Sequence, residues 1–77
     1  NYVFDHWINR ALGIHYFQQN KDSLGENYLN QSLKSENLDL PTKKANYRDL
    51  ANFNFDAGKF VFTGAYLDSL LRVLPDG

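Results

Sequence analysis

The chain has no cysteine, which excludes disulfides, thiolate metal sites and cysteine nucleophiles. Charge of one sign is also scarce. Eight basic and nine acidic residues leave a formal charge of -1, with no long run of either sign. Tracking a nucleic-acid backbone takes clustered Lys and Arg, so a nucleic-acid partner is not expected. No apolar run approaches the roughly 20 residues that a membrane-spanning helix needs. Gly58, Gly64 and Gly77 are too sparse for a phosphate-cradling loop, and no His-Glu-x-x-His pattern occurs. Asp68-Ser69 lacks both a nearby histidine and the glycines of a nucleophile elbow.

What is present is apolar and aromatic. A hydrophobic share of 43% argues against disorder, and an aromatic share of 16% predicts a core rich in Phe and Tyr. Seventy-seven residues make one small domain or a piece of a larger one. A core of this size supplies only about 3–5 kcal/mol, so support from neighbours is expected. The start at Asn1 rather than Met reads as processed or excised, with any signal peptide or lipid anchor lying upstream.

Apolar spacing predicts four helices, over about 5–19, 22–36, 41–56 and 59–74. Asp5 is positioned to cap the first, whose stripe is Ile8, Ala11, Leu12 and Tyr16, widened by Trp7 and Phe17. Asn20-Lys21-Asp22-Ser23 breaks the pattern, and Asp22 or Ser23 would cap the second helix, with Leu24, Tyr28, Leu29, Ser32 and Leu33 on one side. Gly25, a poor helix former, suggests close approach of another helix. Pro41 suits the first turn of the third helix, with Asp39 or Leu40 just outside it. Tyr47, Leu50, Ala51 and Phe55 follow as its stripe, and Gly58 suits a left-handed C-cap. The fourth helix carries the apolar residues from Phe60 to Leu74 and is closed by Pro75. Its Tyr66 and Leu70 are expected to face Leu50 and Ala51, with Leu70 buried.

The stretch from Tyr47 to Pro75 is thus a helical hairpin, and it has an upstream relative. A shift of 38 residues, the separation of Leu12 and Leu50, lays Arg10 on Arg48, Phe17 on Phe55, Lys21 on Lys59, Tyr28 on Tyr66, Leu29 on Leu67 and Leu33 on Leu71. A hairpin recurring at a fixed period is the mark of a helical repeat array. The second unit resembles a tetratricopeptide repeat through Tyr47, Leu50-Ala51, Phe55, Gly58, Phe60, Leu70 and Pro75, with Thr63 where Ala is usual. The first matches through Leu12-Gly13, Tyr16, Gly25 and Ser32, and departs with Asn9, Asn20 and Asp22 and with no closing Pro. Four residues beyond the family's usual 34 lengthen the joint between units. The resemblance implies an all-α fold of two stacked antiparallel helical hairpins in a right-handed superhelix. Residues 1–77 would then form a single repeat domain, a fragment of a longer array, with repeats over about 5–38 and 41–77. A fainter similarity of Gly64-Ala65-Tyr66-Leu67-Asp68-Ser69-Leu70 is to repeats in cell-envelope lipoproteins of gliding and type IX secretion, and implies a cell-envelope location.

The family's function is protein–protein interaction through a groove lined by the first helix of each unit. By that resemblance Trp7, Arg10, Ile14, Phe17 and Gln18 face the groove in unit one, and Ala45, Arg48, Asn52, Phe55 and Asp56 do so in unit two. Arg48 and Asn52 have the spacing that begins a carboxylate clamp in chaperone-binding members, although Ile14 breaks the pair after Arg10. The remaining polar residues favour plain roles. His6 and His15 are nine apart and share no metal-binding helix face, and Asp49 and Asp56 read as solvated carboxylates. The expectation is a non-enzymatic scaffold with a protein or peptide partner and no cofactor. Alternatives are a self-assembling repeat piece and, further off, a regulatory domain of an enzyme. Finally, the fourth helix is apolar over more of its circumference than one hairpin needs. Phe62, Val73 and Leu74 are expected to lie uncovered and to dock further repeats or another copy.

Overall fold

The structure, a computed structural model, describes residues 4–73. It is all-helical over that span: α1 (Asp5–Gln18), α2 (Asp22–Leu33), α3 (Leu40–Asp56) and α4 (Phe60–Val73). The apolar spacing located all four to within a few residues. Leu74, expected at the end of α4, lies outside the described residues.

The helix starts differ in how they are secured. Asp39 is the N-cap of α3: one carboxylate oxygen accepts the Thr42 N–H at 3.1 Å and the other the Thr42 hydroxyl at 2.7 Å. Pro41 follows in the first turn, where its missing N–H costs nothing. Asp5 and Asp22 do not cap. Each is the first helical residue, preceded by Phe4 and Lys21, which make no side-chain capping bond. There the carboxylate serves the positive end of the helix dipole instead.

The turns inside the two hairpins are built alike. Gly58 has φ +77°, and Asn20, 38 residues earlier, has φ 62°. In both, the left-handed residue's N–H bonds the carbonyl three back (Phe17, Phe55), and the next residue's N–H bonds the carbonyl five back (Tyr16, Asn54). This is the double-bonded left-handed helix stop, which Asn tolerates nearly as well as Gly. Asn20 is therefore a departure in residue type and not in backbone.

Within each hairpin the helices are antiparallel, since contacts pair rising with falling numbers: His6 with Ser32 and Gly13 with Gly25, then Ala51 with Thr63 and Phe55 with Phe60. The first hairpin closes on glycine. A Cβ on Gly25 would lie 2.7 Å from the Phe17 ring and 2.9 Å from the Gly13 carbonyl oxygen, so the close approach expected at Gly25 is made against Gly13. The second has Ala51 and Thr63 at the corresponding positions, and the Thr63 hydroxyl sits 3.4 Å from the Ala51 carbonyl.

The α3 helix joins the hairpins. It runs parallel to α1, with Arg10 meeting Asn46 and Asp49 and Phe17 stacking on Phe53 at 3.7 Å between ring centroids. The core lies along this seam: Phe17, Leu29 and Leu50, with Leu33, Phe53 and Tyr66 packed around them. The backbone of α4 lies against α3 alone. Its Tyr66 side chain reaches past α3 to α2, where the hydroxyl donates to Glu26 at 3.0 Å. Burial, reinforced by the Glu26 charge, holds the Tyr66 phenol above its ordinary pKa and keeps it a donor. Tyr66 thus joins the core as expected. Leu70, expected to be buried with it, is only half-buried, because among the described residues no helix other than α3 packs on α4.

Candidate functional site

Four of the residues expected to line a groove come together. Trp7, Arg10, Ile14 and Gln18, at helical spacing on α1, border a shallow hollow of about 430 Å³ with Ala11 and His15. Trp7 is 53% exposed, yet its ring is held at 5.3 Å from Phe4 and 4.9 Å from His6, centroid to centroid. A large ring held in place but left in contact with water is the usual form of a binding anchor.

On α3, Arg48, Asn52 and Phe55 are all exposed. Arg48 Nε lies 3.4 Å from the neighbouring Asp49 carboxylate, a long contact that leaves the guanidinium largely in solvent. Phe55 meets Phe60 edge to face across the α3–α4 turn at 5.5 Å. Phe17 differs from the expectation. It is buried beneath the α3 ring of Phe53 and packs against the Gly25 backbone, so it is a core residue and not a groove residue.

Arg10 is partly diverted as well. Its guanidinium donates to Asn46 Oδ1 at 2.9 Å and to Asp49 Oδ2 at 2.6 Å. Asp49, expected to be a solvated carboxylate, is instead the largely buried partner in a pair between helices. These bonds continue inward: Asn46 donates to Ser32 Oγ at 2.8 Å, and the Ser32 hydroxyl donates to the His6 backbone carbonyl at 2.7 Å. Asn46 and Ser32 are wholly buried and His6 nearly so. The linkage was invisible to periodicity because it lies on residues 36, 14 and 26 apart. The one available signal was polar residues at positions inside the apolar stripes, Ser32 among them.

His6 completes the seam, with Nε2 at 3.0 Å from Asp39 Oδ1. The Thr42 hydroxyl and N–H, with the His6 ring nearby, hold the Asp39 carboxyl below its ordinary pKa. Ser32, His6 and Asp39 are neighbours, but they do not form a nucleophile relay. The hydroxyl donates to the histidine's backbone rather than to its ring, and Ser32 is wholly buried. His6 Nδ1 is buried without a partner among the described residues. A larger cleft of about 530 Å³, lined by Asp5, Asn9, Gln31, Lys34, Ser35 and Glu36, has a polar lining with none of those side chains buried. Among the described residues no three His, Cys, Asp or Glu side chains are grouped to hold a metal ion, and no helix is long and apolar enough to cross a membrane. No family model matches the chain, and no curated protein or solved structure matches it at a significant level.

Proposed function

We propose that the chain is a non-enzymatic protein-interaction module, two tetratricopeptide-like repeats whose α1 and α3 offer a surface to a peptide or protein partner. The observation that carries this reading is the Trp7 hollow on α1, beside the parallel α3 with exposed Arg48 and Asn52. An apolar side chain of the partner fills the hollow against Trp7 and Ile14. An acidic group of the partner meets Arg48, the less engaged of the two arginines. The bonded seam beneath, from Arg10 to His6, fixes α1 against α3 so that the surface is preorganised, which lowers the ordering cost of binding.

The test is selection of peptides from a displayed random library, followed by amide chemical-shift mapping with the selected sequence. Shifts confined to α1 around Trp7–Ile14 and α3 around Arg48–Asn52 are expected. Trp7→Ala should weaken the same peptide by at least about 2 kcal/mol, as an aromatic anchor does. Shifts centred on α2, or an unchanged affinity in Trp7→Ala, would refute the assignment.

A further inference from the structure

The expected apolar excess on α4 is present, but it is centred differently from the expectation. Phe62 is exposed, Val73 is half-buried, and the widest exposure falls on Phe60, Val61 and Leu71, with Leu67 and Phe55 beside them. Phe60, Leu67 and Leu71 share one side of α4 by helical spacing, and an exposed apolar face of this kind marks an interaction surface. The 38-residue register indicates what it is shaped to receive.

Within the chain, α3 covers the first hairpin through named pairs: Asn46 on Ser32, Asp49 on Arg10 and Phe53 on Phe17. Moved back by 38, the covering residues Asn46, Asp49 and Phe53 become Ile8, Ala11 and His15, all exposed on α1. Moved forward by 38, the covered residues Ser32, Arg10 and Phe17 become Leu70, Arg48 and Phe55 on the open face. The two sets have changed chemistry together. A buried polar pair, Asn46 with Ser32, becomes an apolar pair, Ile8 with Leu70. An aromatic stack, Phe53 with Phe17, becomes His15 with Phe55. Only the ion pair is lost, since Ala11 would face Arg48, and Arg48 keeps Asp49 of its own helix.

We propose that the chain binds a second copy of itself head to tail, α1 of one copy covering the open α3–α4 face of the next as α3 covers α1–α2 within the chain. This goes beyond the peptide-binding reading, and because Ala11 and His15 border the Trp7 hollow and Arg48 belongs to the same surface, a second copy and a peptide compete there. The contact joins two different surfaces, so each pair keeps one free end of each kind and assembly continues with concentration. An apolar seam of this sort strengthens with burial and is little affected by salt.

The experiment is sedimentation equilibrium of the 77-residue chain across a wide concentration range, with two variants at exposed positions. Ile8→Glu blocks the α1 face and Leu71→Glu blocks the α4 face, and circular dichroism checks that both remain helical. The wild type should grow past dimer as concentration rises. Each variant alone should be a monomer, and the two mixed should give a 1:1 dimer and nothing larger, because one intact face of each kind remains. A wild type that stays monomeric throughout overturns the proposal. So does an Ile8→Glu variant that still dimerises, since that would mean α4 faces pairing with each other, and so does a mixture of the two variants that stays monomeric.

Discussion

The two hairpins share their turns and much of their sequence pattern, yet they differ sharply in what they bury. Leu29 is fully buried, while Leu67, at the same place in the second hairpin, is 46% exposed. Phe17 is 7% exposed and Phe55 is 59% exposed. The side chains are identical within each pair, so hydrophobicity does not decide the outcome. The first hairpin has α3 lying on it, whereas among the described residues no further helix lies on the far face of α3 and α4. A helical hairpin has two apolar faces, one closed by its own partner helix and one that only a neighbour can close.

The sharpest test of that difference is a pair of truncations. Leu29→Ala should destabilise by about 2–5 kcal/mol, the range for a buried leucine. Leu67→Ala should cost less than about 1.5 kcal/mol, since much of its side chain is already in water. Urea unfolding at low protein concentration, where copies stay apart, measures both. Equal losses would show that α4 is better covered than the structure has it.

The glycines give a smaller contrast, of opposite sign. Gly25→Ala places a Cβ against the Phe17 ring and a backbone carbonyl. The crowding costs about 1–3 kcal/mol and outweighs the helix-propensity gain. Gly64, inside α4, has open space around it. There Ala should stabilise by up to about 1 kcal/mol. Melting temperatures should move down for the first and up for the second, and a rise in both would mean that α1 and α2 lie further apart at Gly13 and Gly25 than the structure places them.

The smallest effect concerns pH at the α3 cap. Asp39 has a lowered pKa in the folded chain, so the unfolded chain takes up its proton first as pH falls. Its contribution is complete above the ordinary carboxylate value of about 3.9 and is lost as pH drops through the folded value. Replacing it as Asp39→Asn should flatten the acid limb of stability below about pH 4 and leave the slope near neutrality alone. An unchanged acid limb would place the acid sensitivity elsewhere.

Much of this fold was legible in the residues. Period-3.6 apolar spacing located the helices, Asp39 and Pro41 marked the start of α3, and Gly58 marked the end of its hairpin turn. These are local effects, set by side-chain direction and by which backbone angles a residue tolerates, so a short window of sequence contains them. The candidate site was legible only in part. Trp7, Arg48, Asn52 and Phe55 lie at exposed positions on α1 and α3 and Ile14 is half-buried beside Trp7, but Phe17 went to the core and Arg10 was drawn into the seam.

What only the tertiary structure decided was which of two equivalent residues is covered and where the buried polar bonds close. Asp49 looks like a surface residue, and Ser32 like a lone polar member of an apolar stripe, until α1, α2 and α3 are placed side by side. Then the cost of leaving a buried donor or acceptor unpaired selects Arg10, Asn46 and the His6 carbonyl as their partners. Burial and hydrogen-bond closure depend on residues far apart in the chain, whereas helix formation and its punctuation depend on residues within a turn or two. That separation of range is why the sequence determined four helices and their turns, while the packing of one hairpin against α3 determined its core and left the other hairpin's apolar face open.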